Sequence, residues 1–166
     1  MKTTINELYF YGRPFPASLI DQNRSFAEQN MMMENDEEFT SFLKENNLEN
    51  NRASLVVFNP DSFMYWYGAI SEHELTKNHG MLKMNLPKSE VAIKETNGDL
   101  ANLSTPLNSS IPSFLKEVTA EGIKVYENLG DSPLPYVLQK HLFRNCCFTS
   151  IGVGNNCKGP TLINLI

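Results

Sequence analysis

Ala53-Ser-Leu-Val-Val-Phe-Asn59 and Phe63-Met-Tyr-Trp-Tyr-Gly-Ala-Ile70 are two apolar runs joined by Pro60-Asp-Ser62. The first is rich in β-branched residues, the second in aromatics, and the link is turn chemistry, so together they predict a β-hairpin. Strand side chains alternate, which puts Phe63, Tyr65 and Tyr67 on one face and Met64 and Trp66 on the other. Both faces are therefore apolar. Five large side chains in a row exceed what a half-buried hairpin needs. Tyrosine and tryptophan supply flat contact area with a polar handle, as the wall of a ligand pocket would require. Aromatic strands also serve as plain core, and the residues alone leave that alternative open.

Upstream of the hairpin, Glu34-Asn-Asp-Glu-Glu38 precedes Phe39, Phe42 and Leu43, an i, i+3, i+4 stripe whose leading acids suit the positive end of a helix dipole. A helix is predicted from about Asp36 to Asn47. Leu8 to Phe15, with Pro14 and Pro16, reads as an extended segment, and Ala17 to Ala27 as a strand with polar residues on one face. Ser71 to Gly80 is polar and reads as a connection between halves. Beyond it, Met81 to Leu86 and Val91 to Glu95 read as strands around Pro87, and Asn97-Gly98 as a turn. Pro106 to Ala120 carries Leu107, Ile111, Phe114, Leu115 and Val118 at helical spacing. Pro112 fits best in a first turn, which would start that helix at Ser109 or Ser110, and Gly122 stands where a C-terminal cap is wanted. Ile123 to Glu127 reads as a strand, Gly130 to Pro135 as a turn, and Tyr136 to Leu138 as the start of another strand. Cys146 to Val153 reads as the final strand, with Gly159 and Pro160 loosening the chain after it. The element order is strand, helix, hairpin, then strand, helix, strands.

With 166 residues, 41% of them hydrophobic and 20% charged, the chain suits one globular domain with a real core. Its formal charge of -5 and the lack of a basic run oppose direct nucleic-acid binding. No stretch has signal-peptide or membrane-span character, so a cytoplasmic protein without membrane attachment is expected. Three cysteines (Cys146, Cys147, Cys157) and three scattered histidines (His73, His79, His141) show neither a disulfide framework nor metal-ligand spacing.

No G-x-S-x-G elbow, dinucleotide fingerprint or Walker loop is present. Cys146-Cys147 offers a thiol near His141, but activation would need a base or helix terminus. Catalysis has no positive support in the residues, and no cofactor or metal is expected. Met31-Met32-Met33 suits either an adaptable binding surface or an irregular core edge. Glu34, Asp36, Glu37 and Glu38 do not match a calcium loop and read as a solvated helix start.

Phe63-Met-Tyr-Trp-Tyr-Gly68 resembles the aromatic-x-Tyr-x-x-Gly strand of the gyrase-inhibitor-like small-molecule-binding domains, also called bacterial effector-binding domains. Leu86-Pro-Lys-Ser-Glu-Val-Ala-Ile-Lys-Glu-Thr-Asn-Gly98 is similar to the opening of that family's second half. Phe114-Leu115 ahead of Gly122 is similar to its second helix, and Pro135-Tyr136 to the tyrosine after its proline-containing loop. The resemblance runs from about Ala17 to Ile151. It implies an α+β domain of two pseudo-symmetric β-α-β-β halves (about 1–78 and 79–166), with a mainly antiparallel sheet and a ligand groove at their junction.

It further implies a stand-alone protein that senses or sequesters a small apolar or amphipathic ligand through Phe63, Tyr65, Trp66, Tyr67, Phe114 and Tyr136. Two departures bear on that ligand. Leu134 stands where many members carry an acid two positions before the tyrosine, and Val91 replaces a tyrosine of the second half, so a neutral or less cationic ligand is expected. Met1 lies too close to the first strand for a preceding helix-turn-helix, which again speaks against direct DNA binding. The same resemblance leaves two other readings. One is an interaction protein that blocks a macromolecular partner such as a topoisomerase; the other is a hydrolase of reactive small molecules, using Glu90, Glu95 or Cys147.

Overall fold

Alternating aromatic and β-branched runs become strands, and the computed structural model, which describes residues 2–58, 61–98, 106–123, 136–142 and 159–165, joins them in one sheet. In chain order these are β1 (Lys2–Ile5), β2 (Leu8–Pro16), α1 (Ala27–Glu34), α2 (Glu37–Glu45), β3 (Asn51–Phe58), β4 (Phe63–Ser71), β5 (Leu82–Leu86), β6 (Ser89–Gly98), α3 (Leu107–Ala120), β7 (Tyr136–Leu142) and β8 (Gly159–Leu165). The fold is α+β. Across the sheet the order is β1-β6-β8-β7-β3-β4-β2-β5, and all its pairings are antiparallel.

That order is symmetric about the β3–β7 pair, because β3, β4 and β2 run outward on one side as β7, β8 and β6 do on the other. The outermost strands are exchanged. β5 leads into β6 but pairs with β2, while β1 leads into β2 but pairs with β6. The two exchanged ladders share one register: Lys2 faces Ala92 and Ile5 faces Ser89, then Leu8 faces Leu86 and Gly12 faces Leu82. Residues 2–16 and 82–98 thus form two long bent strands, paired along their length and interrupted opposite Pro87, which has no N–H for a ladder.

The sheet buries both faces. On one, α1, α2 and α3 cover Tyr11, Phe15, Val56, Tyr65, Tyr67 and Ala92 with Phe26, Met33, Phe39, Phe42, Phe114 and Val118. On the other, Phe10, Leu55, Ile70, Leu86, Val91 and Leu138 form a core to which strands alone contribute among the described residues. Strands from both ends of the sheet meet there, so the sheet curls onto itself. Gly12 and Gly68 face one another on this curled side. A Cβ on Gly68 would land on the Tyr11 carbonyl oxygen, and one on Gly12 on the Tyr67 carbonyl oxygen.

Helix ends follow their local chemistry. Asp36 caps α2 by accepting from the Phe39 amide at 2.8 Å, and Phe39, Phe42 and Leu43 are all buried, as their spacing predicts. Gly122 closes α3 at φ +74° in a Schellman arrangement, its own amide donating to the Thr119 carbonyl and that of Ile123 to the Val118 carbonyl.

Four expectations are corrected. Ala17 to Ala27 is not a strand: a 3-10 turn spans Ala17–Leu19, and α1 begins at Ala27. Between them Asp21 accepts from both the amide and the hydroxyl of Ser25, at 2.8 and 2.7 Å, a local closure that competes with a ladder. α3 starts at Leu107, two residues before the earlier of its two predicted starts, with Ser109 and Ser110 bonding back to the Pro106 carbonyl. Pro112 sits exposed in the second turn. Asn97-Gly98 continues β6, held by Pro160 and Gly159 across the ladder, because a strand partner overrides a local turn preference. Gly159 and Pro160 accordingly open a strand, β8, where proline is tolerated at the first residues. Gly130–Pro135, Cys146–Val153 and, past Ile123, the strand read at Ile123–Glu127 fall outside the described residues.

Alanine at Gly68 is expected to cost about 3 kcal/mol or more, since backbone rather than a movable side chain must yield. Gly122→Ala, with open space around it, should lose only about 1 kcal/mol from its left-handed backbone. Urea midpoints measure both; similar losses at the two sites would contradict the close approach of β2 and β4.

Candidate functional site

The site forms where α1 lies on β4. Successive helix positions four apart rise about 6 Å, close to the roughly 6.8 Å between same-face neighbours on a strand. Phe26, the N-cap of α1, Asn30 and Glu34 therefore match the strand pair Tyr65 and Tyr67. The Phe26 ring stacks on Tyr65 at 4.2 Å between centroids and 9° between planes. The Tyr65 hydroxyl donates to Asn30 Oδ1 at 2.8 Å, and the Tyr67 hydroxyl to Glu34 Oε1 at 2.7 Å. Arg52, on the neighbouring strand, closes the group: its Nε donates to Glu34 Oε1 at 3.1 Å and its Nη2 to Oε2 at 3.0 Å, while Nη1 donates to the Glu49 carbonyl.

Burial pushes the Tyr65 phenol well above its ordinary pKa. Burial raises Tyr67 as well, and the adjacent Glu34 carboxylate raises it further. Both hydroxyls act as donors in the structure, to Asn30 and Glu34. α1 has a mixed inward face, with Phe26 and Met33 beside Asn30. Asn30 and Met33 are buried, whereas Met31 and Met32 stand 63% and 52% exposed.

Phe63, Tyr65, Tyr67 and Phe114 come together in the helix-covered core; Phe63 meets Phe26 edge to face at 6.2 Å, and Phe114 arrives from α3. Trp66 lies on the opposite face, edge-on to Phe10 at 6.4 Å. Tyr136 opens β7 across from Val57, with its side chain outside the described residues. Val91 is buried in the strand-only core, so it faces away from the helices, while Ala92 faces them. Leu134 and the three cysteines lie outside the described residues.

Asn30, Glu34, Arg52 and Phe26 were not singled out by sequence reasoning as parts of this site. Apolar periodicity gives little signal for a helix whose inward face mixes Phe26 and Met33 with Asn30 and Glu34, and the only signal for Arg52 was a charge beside an otherwise apolar strand. The acids from Glu34 to Glu38 do not act as one cluster. Glu34 turns to Arg52, whereas Asp36 and Glu38 each accept from Arg13 at 2.7 Å. The Phe39 amide, more than Arg13, holds the Asp36 carboxyl below its usual range. His79 faces Glu45 at 3.0 Å and Glu90 pairs with Lys2 at 2.8 Å. Among the described residues no three His, Cys, Asp or Glu side chains gather as metal ligands, and no helix is long and apolar enough to cross a membrane.

The sequence matches no protein-family model and no curated protein at a significant level. Solved structures do share the fold. A Staphylococcus aureus MU50 protein described as a candidate bacterial transcription regulator superposes with a TM-score of 0.56 at 12% identity, over 99% of this chain and 95% of its own. SAV2435 bound to tetraphenylphosphonium superposes with a TM-score of 0.54 at 9% identity, over 99% of this chain and 90% of its own.

Because the folded Asp36 carboxyl titrates below its unfolded value, its contribution is present above about pH 4 and lost as pH falls through the folded value. Asp36→Ala should lower stability by about 1 kcal/mol at neutral pH and by less at pH 3. Urea melts at the two pH values test this, and an equal loss at both would contradict the ionised cap.

Proposed function

We propose that this chain is a small-molecule-binding domain of the effector-binding kind, working in the cytoplasm to sense or sequester an apolar or amphipathic ligand. The two halves, about 1–78 and 79–166, would form one such domain, with the ligand seated between α1 and β4 of the first half. The observation that carries this reading is the polar part of the α1 face that lies over the tyrosine pair of β4: beside the buried Phe26 and Met33, Asn30 and Glu34 meet the Tyr65 and Tyr67 hydroxyls. Eight residues are too few to hold a helix without tertiary contacts. Its grip on Tyr65 and Tyr67 is hydrogen bonding plus one stacked ring, interactions a ligand of similar chemistry can replace. A protein of the same fold holding tetraphenylphosphonium supports a ligand of aromatic character.

The ligand enters as α1 lifts from Tyr65, and Phe63 and Phe114 extend the aromatic wall, whereas Tyr136, opposite Val57, belongs to the other face of the sheet. Trp66, on the far face, reports the sheet's response by fluorescence. A panel of tetraphenylphosphonium and neutral aromatic compounds should include binders that raise the thermal midpoint, equivalent to about 2.7 kcal/mol at a hundredfold excess over the dissociation constant. Tyr65→Ala should abolish the shift, and Tyr65→Phe, which keeps the stacking on Phe26, should weaken polar ligands about tenfold. Unchanged binding by Tyr65→Ala would sink the assignment.

A further inference from the structure

Glu34 closes α1, and its carboxylate fills a seat that belongs to the sheet. Arg52 offers Nε and Nη2 at 3.1 and 3.0 Å, and the Tyr67 hydroxyl adds a donor at 2.7 Å. The seat is deep and its occupant shallow: the Arg52 side chain is 7% exposed, that of Glu34 27%. A buried guanidinium without an anion is strongly unfavourable, so the fold demands a carboxylate there. Two planar nitrogens and a phenol select that geometry over a single point charge. Nothing in the sheet requires the carboxylate to come from Glu34, however, which hangs on the last turn of a helix of only eight residues.

Resting on the reading that α1 lifts from β4 to admit a ligand, we infer that the ligand is an apolar carboxylic acid, ionised at neutral pH. Its carboxylate takes the place of Glu34 on Arg52 and Tyr67, and its apolar part lies along Tyr65. When α1 lifts, Glu34 leaves with it, and the three donors point into the opened cleft. An incoming carboxylate restores the same charge balance. An organic cation would meet Arg52 with like charge at close range. Glu34 thus acts as a built-in competitor, and the released side chain gains full hydration outside.

Octanoate, its neutral analogue octanamide, and tetraphenylphosphonium, titrated calorimetrically into the full chain, test the head group. Octanoate should bind the parent protein at least about tenfold more tightly than octanamide. Glu34→Gln, close in shape but without the competing charge, should bind octanoate about tenfold more tightly again, and Arg52→Gln should erase the preference for octanoate over octanamide. If Glu34→Ala is tested and proves unfolded, recovery of its fold by octanoate and not by octanamide reads the same seat. Equal affinity for octanoate and octanamide, or tetraphenylphosphonium binding alone, overturns the carboxylate inference and leaves the ligand-binding reading standing. If none of the three binds, and the wider aromatic panel also fails, the ligand-binding reading falls and this inference with it.

Discussion

The backbones of β2 and β4 approach so closely at Gly12 and Gly68 that no side chain fits between the carbonyls of Tyr11 and Tyr67 and the facing strand. Much of the architecture rests on that approach. It brings Phe10 and Trp66 together on the curled side, in a core that strand residues alone fill among the described residues. With that face sealed by the sheet itself, all three helices are free to lie on the other. There the same strand delivers Tyr65 and Tyr67, the residues flanking Trp66, to the underside of α1.

The contact between α1 and β4 differs in kind from the other helix packings. α2 buries Phe39, Phe42 and Leu43, and α3 buries Phe114 and Val118, so hydrophobic burial holds them. α1 instead relies on one stacked ring pair, hydrogen bonds from two tyrosines, the Arg52 pair with Glu34 and the single buried Met33. Each neutral hydrogen bond contributes about 1 kcal/mol net, because water offers the same bonds to the open form. α1 therefore depends on specific polar partners more than α2 or α3 does.

Much of this was legible in the residues. The hairpin of β3 and β4, the alternation that separates Tyr65 and Tyr67 from Trp66, the stripe and acids of α2, and the glycine cap of α3 all depend on neighbours a few positions away. The misread stretches depend on distant ones. Asn97-Gly98 has turn chemistry but is held straight by Pro160 and Gly159, and Ala17 to Ala27 loses its strand alternation to the local closure of Asp21 on Ser25. α1 escaped notice because Asn30 and Glu34 find their partners 35 and 33 residues along the chain.

By itself, then, the sequence determined the α+β class, the aromatic strand and the faces its side chains occupy, since alternation and capping are properties of adjacent residues. Only the tertiary structure decided that Asn30 turns inward beside Met33 to meet the Tyr65 hydroxyl, and that Arg52 and the Tyr67 hydroxyl converge on Glu34. A polar side chain is buried only where a specific partner meets it. That meeting is made by the pairing of strands, which no local pattern records.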